Sequence, residues 1–381
     1  MQFKLSDQHA MMHKMFHEFA QKEIAPYAAE NDIKAEFPAE IMKKLGAQGF
    51  MGIPIPEEYG GAGADFLTYI LCIEEVSRAC ASTGVILAVH TSVGTFPILY
   101  FGTEEQKRKY VPKLAAGEYI GAFALTEPGA GSDASALRTS AKRDGDDYVI
   151  NGSKIFISNG GHADVYTVFT TVDSKLGTKG ITAFLVDKDT PGFKVGSIEK
   201  KMGLNADVTT EIIFEDCRVP ASQRLGKEGE GFKIAMSLLD GGRVGIGAQG
   251  LGIAQAAYDE ALKYAQFREQ FGQPIFNNQA IAFKLADMAT RIEAARLLVY
   301  QAAFRKENGL PNGKQASMAK MFATDTAMYV ATEAVQILGG YGYSREYPVE
   351  RLMRDAKITQ IYEGTNQIQR LVIAKALEKG L

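Results

Sequence analysis

Residues 230–269 read EGFKIAMSLLDGGRVGIGAQGLGIAQAAYDEALKYAQFRE. Apolar side chains recur at helical spacing through the stretch, which predicts one very long helix. Gly241 and Gly242 lie in its interior, where two glycines cost ~2 kcal/mol relative to alanines. Something must require the missing side chains, either close helix packing or passage of a ligand. Asp240 and Arg243 are three apart, share a face and are placed to pair with each other. Downstream, residues 278–308, 313–340, 349–362 and 366–380 repeat the helical period with short connections. Long amphipathic segments joined in this way predict an up-and-down bundle.

Upstream of the long helix the period changes. From about Ile120 to Lys227, short β-branched and aromatic runs such as DDYVINGSKIFISNG, DVYTVFTTVD and TTEIIFEDCRVP alternate with Gly, Asp and Pro turns. No helices separate them, so the expected sheet is antiparallel rather than built from βαβ units. Further upstream helix returns. Ser6 is the expected N-cap of the first helix. Residues 67–102 hold two helices that read as largely buried, and EEQKRKYVPKLAAGEY adds a short amphipathic one. The expected fold class is α+β: an N-terminal all-α domain (1–119), a middle antiparallel β domain (120–228) and a C-terminal four-helix bundle (229–381).

The 381 residues, 46% hydrophobic and 23% charged, provide for two or three cores. A net charge of -3 carries no general nucleic-acid signal. Cys72, Cys80 and Cys217 are odd in number and lack ligand spacing, which argues against a disulfide scaffold. His9, His13 and His17 follow one another at i,i+4 without an HExxH motif, so a helix surface rather than a metal site is expected. No apolar run reads as long enough to span a bilayer. The N-terminal stretch reads as a mature helix without a signal-peptide core. The expected location is a bacterial cytoplasm, with a mature mitochondrial matrix form as the alternative.

Four further stretches carry chemical content. In Ala124–Asp133 (ALTEPGAGSD), Gly129 and Gly131 allow close backbone approach, and Thr126 and Ser132 offer hydroxyls. An ordinary turn has the same composition. In KIFISNG (154–160), strand alternation would put Phe156 and Ser158 on one face and Ile155 and Ile157 on the other. That face would suit a planar ring, or a mixed cross-strand pair. QILGGYGY (336–343) ends a helix and would also let a flat or phosphorylated group approach the backbone. In ITQIYEGTNQIQR (358–370), Glu363 stands between an apolar pair and a glycine. It is either an exposed turn residue between helices or a general base whose burial raises its pKa.

Together these stretches resemble the acyl-CoA dehydrogenase family, and the resemblance covers essentially the whole chain. ALTEPGAGSDASA is similar to one family signature and QILGGYGYSREYPVERLMRDAKITQIYEGTN spans the other. The short-chain subgroup, which includes bacterial butyryl-CoA dehydrogenase, is the most similar. The resemblance implies FAD-dependent conversion of a short-chain acyl-CoA to a trans-2-enoyl-CoA, with electrons passed to an electron-transferring flavoprotein. Glu363 matches the base that removes the α-proton, and its own backbone N–H would hold the thioester carbonyl. Relatives that carry the base on the long helix do so at the position of Gly242, which has no side chain to serve. Asp240, Arg243, Ser132, Tyr362 and Gly364 match substrate contacts. Thr126, Gly131, Ser132, Phe156, Ser158, Thr365 and Gln367 match FAD contacts. Arg268 and Phe271 would meet the FAD of a neighbouring subunit, with Gln336, Gly339 and Gly340 receiving its adenine side. A homo-oligomer, typically a tetramer, follows. No metal is implied.

The same flavin and base would serve an enoyl-CoA reductase running in reverse. A branched, medium-chain or cyclic acyl-CoA is the other enzymatic alternative. A non-enzymatic CoA-ester-binding flavoprotein is disfavoured by the intact Glu363 and Arg243. His90, beside the expected acyl pocket, reads either as a satisfied core histidine or as a substrate contact.

Overall fold

The computed structural model of the chain describes residues 4–380. The N-terminal helices are α1 (Asp7–Glu23), α2 (Ala28–Lys34), α3 (Ala39–Ala47), α4 (Phe66–Ala79), α5 (Ala81–Val89), α6 (Phe96–Phe101) and α7 (Glu104–Ala115). A π-helical turn at His90–Thr95 joins α5 to α6. Ser6 caps α1 as expected, its hydroxyl accepting from the His9 N–H at 3.2 Å.

The strands follow: β1 (Gly121–Ala124), β2 (Ser140–Asp144), β3 (Asp147–Ser158), β4 (Val165–Thr171), β5 (Ile181–Asp187), β6 (Phe193–Ile198), β7 (Thr209–Pro220) and β8 (Arg224–Leu225). They form one sheet in the order β6-β7-β3-β2-β4-β5-β8, with β1 also paired to β4. The expectation of a wholly antiparallel sheet needs correction. β1 runs parallel to β4, from Gly121 opposite Val165 to Ala124 opposite Val168. β2 meets β4 in parallel through Ser140 and Thr171. The loop 125–139 is long enough to return the chain without a crossover helix, so parallel pairing needs no βαβ unit here.

After the sheet come α8 (Gly231–Phe267), a ribbon of β9 (Glu269–Gln270) and β10 (Gln273–Pro274), α9 (Gln279–Glu307), α10 (Gly313–Leu338), α11 (Val349–Thr359) and α12 (Asn366–Glu378). α10 packs on α8, α9 and α12, and α4 packs on α8 and α9. The N-terminal helices and the bundle therefore share a core. At Gly252 an added Cβ would lie 2.3 Å from the Glu74 carbonyl oxygen, so glycine allows α8 to touch the α4 backbone.

Two further expectations change. Ala81–Phe101 is long and apolar enough, by length and composition, to cross a membrane, although no such run was expected. However, 89% of its most apolar window is buried inside the protein, as a core helix would be. The histidines of α1 do not lie on a solvated face. His9 bonds Asp65 at 2.8 Å, while His13 and His17 bond Glu75 at 2.8 and 2.7 Å. They dock α1 on α4. The donor atoms of His13, Glu74 and Glu75 lie within 4.8 Å of one another, but Arg296, Tyr300, His17 and Arg78 already satisfy the two acids.

Candidate active site

Glu363 is indeed in the turn between α11 and α12, but its carboxylate does not point into solvent. Gly364 and Glu363 both have left-handed backbone, with φ of 89° and 51°. That conformation suits glycine; in glutamate it persists only where the surroundings over-determine it. The ties are visible. Gln369 Nε2 donates to the carbonyls of Gly364 at 2.8 Å and Glu363 at 3.3 Å. Thr365 caps α12, accepting from the Ile368 N–H at 3.3 Å. Asn366 Nδ2 and Gln360 Nε2 both donate to Asp325 Oδ1 at 2.7 Å. The turn is thus clamped onto α10 at both ends.

The Glu363 Oε2 atom is buried and has no hydrogen-bond partner. It occupies the space left by Gly242: a Cβ there would lie 2.1 Å from it. The paired glycines of the long helix are therefore explained in part by room for this carboxylate. Burial pushes the Glu363 carboxyl up to about 7, against the pull of Lys320 and Arg243. Among the described residues no acceptor meets the Glu363 N–H. Arg243 pairs with Asp240 at 2.7 Å, as its spacing suggested, yet its Nε is buried without a partner. Three polar groups beside one cleft, Glu363 Oε2, the Glu363 N–H and Arg243 Nε, are left for something from outside the chain.

That cleft has a volume of about 700 Å³. It gathers Thr126, Gly131, Ser132, Phe156, Ser158, Arg243, Tyr362, Glu363, Gly364 and Thr365 from helix, loop and strand. Added Cβ atoms at Gly129 and Gly131 would meet nothing within 4 Å, so the loop keeps open space beside its backbone. The strict alternation expected around Phe156 does not hold. Phe156 has φ 57°, and β3 slips register against β7 between Lys154 and Ile157. At the bulge Ile155, Phe156, Ile157 and Ser158 all border the cleft, with Ile157 itself buried in the core. The Phe156 ring is left 60% exposed, free to be covered by a flat group. Ser158 Oγ donates to Asp207 Oδ2 at 2.9 Å.

A second groove, of about 580 Å³, is lined by Arg268, Gly339 and Gly340 together with Tyr264 and Tyr341. Asp240, Phe271, Gln336 and Gln367 line neither hollow. Gln336 and Gln367 are exposed, and Phe271 is 98% exposed at φ 54°. Asp240 is held instead by its pair with Arg243. His90 is a satisfied core histidine. Its Nδ1 accepts from the Gly121 N–H at 3.2 Å, which leaves Nε2–H to donate to the Leu114 carbonyl at 3.0 Å. Burial pushes it down to about 4.

Two lysines went unnoticed in the sequence. Lys154 is fully buried on β3 and bonds Glu127 at 2.7 Å and the Leu125 carbonyl at 3.1 Å, bracing the loop that carries Thr126. Glu127 in turn accepts from the N–H groups of Arg138 and Thr139. Lys320 is fully buried on α10 beneath the Glu363 turn. Each interrupts an apolar period on its own element, inward-facing Tyr148 and Ile150 for Lys154, and Ala316, Ala323 and Ala327 for Lys320. That interruption is the signal that would have found them.

The family descriptions "Acyl-CoA dehydrogenase, N-terminal domain", "middle domain" and "C-terminal domain" match residues 6–118, 122–217 and 229–378. An acyl-CoA dehydrogenase of Bacillus subtilis is 60% identical over 99% of both chains. A short-chain-specific acyl-CoA dehydrogenase of Clostridium acetobutylicum is 53% identical, over 98% of this chain and 99% of that one. A mitochondrial short-chain-specific enzyme of Bos taurus is 50% identical, over 99% and 91%. Among solved structures, butyryl-CoA dehydrogenase of Megasphaera elsdenii superposes with TM-score 0.97 at 50% identity, over 99% and 100%. A chain solved in work on the electron transferring flavoprotein of Acidaminococcus fermentans superposes at 0.98 with 54% identity, over 99% of each. With all three parts matched in order, and a half-buried carboxylate of raised pKa facing the cleft they enclose, the chain belongs to the FAD-dependent acyl-CoA dehydrogenase family.

Proposed function

We propose that this chain oxidises a short-chain acyl-CoA, butyryl-CoA foremost, to the trans-2-enoyl-CoA, with Glu363 as the base. The carrying observation is the Glu363 carboxylate, partnerless at Oε2 and raised to about 7. A base with that pKa holds its proton loosely enough to be ionised near neutrality and strongly enough to take one from a weak carbon acid. The unpartnered Glu363 N–H would donate to the thioester carbonyl and stabilise the charge that develops there. Arg243 would favour the carboxylate form before the proton moves, and Gly242 leaves the carboxylate its space. Closing the cleft over a thioester would expel water and draw the two pKa values together.

Bound FAD supplies the acceptor for the hydrogen and electron pair that leave the β-carbon. The residues present fit it. Phe156 offers an exposed ring face, the 124–133 loop offers open backbone at Gly129 and Gly131, and Thr126, Ser132, Ser158 and Thr365 offer hydroxyls. Substrate would lie against Ser132, Asp240, Arg243, Tyr362 and Gly364. In a homotetramer, Arg268, Phe271, Gln336, Gly339 and Gly340 would complete a neighbour's FAD site, which accounts for a phenylalanine left 98% exposed, and Gln367 would be a further FAD contact. An electron-transferring flavoprotein is the proposed acceptor, on the similarity to the Acidaminococcus chain. The cytoplasm is the proposed location, consistent with three free thiols, all buried.

Anaerobic bleaching of the bound flavin by a series of CoA thioesters tests the substrate. Butyryl-CoA should outpace octanoyl-CoA and cyclohexanecarboxyl-CoA, and a peak at octanoyl-CoA would overturn the short-chain assignment. Arg268→Ala should lower the flavin content and loosen the assembly, because the guanidinium fork is matched to phosphate. Sedimentation read at the flavin band checks this, and a fully flavinylated monomer contradicts the shared site.

A further inference from the structure

Lys320 has no exposed surface. Its Nζ donates to the Gly364 carbonyl at 3.0 Å and to Asn366 Oδ1 at 2.8 Å. Both acceptors lie in the short segment that begins at Glu363. A buried ammonium is unfavourable unless paired and hydrogen-bonded, and methionine would fill the same volume without that cost. Packing alone therefore does not account for a lysine here.

The charged groups around it narrow its role. Asp325 on α10 is already held by Asn366, Gln360 and, at 3.3 Å, Arg370. Arg243 on α8 is paired with Asp240. The anion left with an unpartnered oxygen is Glu363. Burial, helped by the charge of Arg243, holds the Lys320 ammonium down at about 7 against the upward pull of Glu363 and Asp325. Gln369 also ties the Gly364 carbonyl, but as a neutral donor. Lys320 adds a charge that Gln369 does not.

We propose that Lys320 is a positioning residue for the reaction: from beneath the turn it fixes the left-handed backbone of Glu363 and supplies the positive field in which that carboxylate stays ionised. The inference rests on Glu363 being the base. Without the cation, the carboxylate is harder to ionise, and the acid limb of turnover moves to higher pH.

The test uses the FAD-loaded enzyme with butyryl-CoA and a dye acceptor, measuring kcat and KM across pH for wild type, Lys320→Met, Lys320→Arg and Glu363→Gln. Lys320→Met should lose about 30-fold or more in kcat, keep KM within about threefold, and shift the acid limb up by about one pH unit. Lys320→Arg, which keeps the charge, should hold the limb near that of wild type and recover part of kcat. An unshifted limb and near-normal kcat in Lys320→Met, with Glu363→Gln inactive, would overturn the role of Lys320 and leave the base in place. An active Glu363→Gln would instead remove the base itself. Should Lys320→Met fail to fold, as read by circular dichroism and flavin content, Lys320→Gln keeps a neutral donor. It should show the limb shift, and an unshifted limb there overturns the proposal equally.

Discussion

Glu75 on α4 and Glu363 after α11 are both drawn into helical packing, and their surroundings drive them in opposite directions. Burial pushes the Glu75 carboxyl up, but hydrogen bonds from His13 and His17 and the charge of Arg78 outweigh it and hold it at about 2. At Glu363 burial dominates, Lys320 and Arg243 only temper it, and the carboxyl stands at about 7. One acid is saturated with partners and joins two helices. The other has no partner at Oε2, as the proposed base would require. Between these two acids, the partners within reach decide which way burial leaves the carboxyl shifted.

Replacing Glu363 tests the reactive side. Glu363→Gln should keep FAD and ligand binding while losing at least ~10²–10⁴-fold in turnover. More than half of wild-type turnover would break the contrast. Stability should move the other way. A carboxyl whose folded pKa lies above its unfolded value of 4.5 weakens folding as pH rises from 4.5 through 7. Removing it should therefore raise stability at neutral pH by something on the order of 1–3 kcal/mol, visible as a higher Tm. In wild type, kcat should rise through about pH 7 as Glu363 ionises.

Gly242→Ala sharpens the comparison without replacing either acid. Helix propensity alone would favour alanine by about 1 kcal/mol. The new Cβ, however, would fall 2.1 Å from Glu363 Oε2. The protein should fold, bind FAD and lose roughly 10–100-fold in kcat, since displacements near 1 Å carry penalties of that size. Unchanged kinetics would show that the space around the carboxylate is not critical.

Glu75→Gln carries the smallest catalytic effect. It should cost about 1–3 kcal/mol of stability, because two histidines and an arginine lose their shared anion, with kcat unaltered. Because the folded pKa of Glu75 is depressed, its contribution is present above about pH 4.5 and is lost as pH falls towards 2. Urea melts at pH 7 and pH 3 should therefore differ more in wild type than in the variant. A variant that unfolds no more easily at pH 7 would show the seam to be dispensable.

Much of the architecture was legible. Helical period, strand period and their order gave the helical, sheet and helical arrangement, and the signatures at 124–136 and 336–366 led to Glu363. The parallel pairing of β1 was hidden, because partner choice depends on where a loop returns. The histidine face of α1 was misjudged for a related reason. Periodicity tells which residues share a face and is silent about what that face meets. The bulge at Phe156 escaped because alternation is an average that one inserted residue breaks.

The sequence by itself determined the element order and the family and singled out Glu363 as the proposed base, since these rest on local period and on motifs that survive as strings. Only the tertiary structure decided what Glu363 is chemically. Its pKa depends on Lys320 and Arg243, remote in sequence and close in space, and on a missing Cβ at Gly242. Coulomb forces and steric exclusion act through distance in space, so separation along the chain could not reveal them.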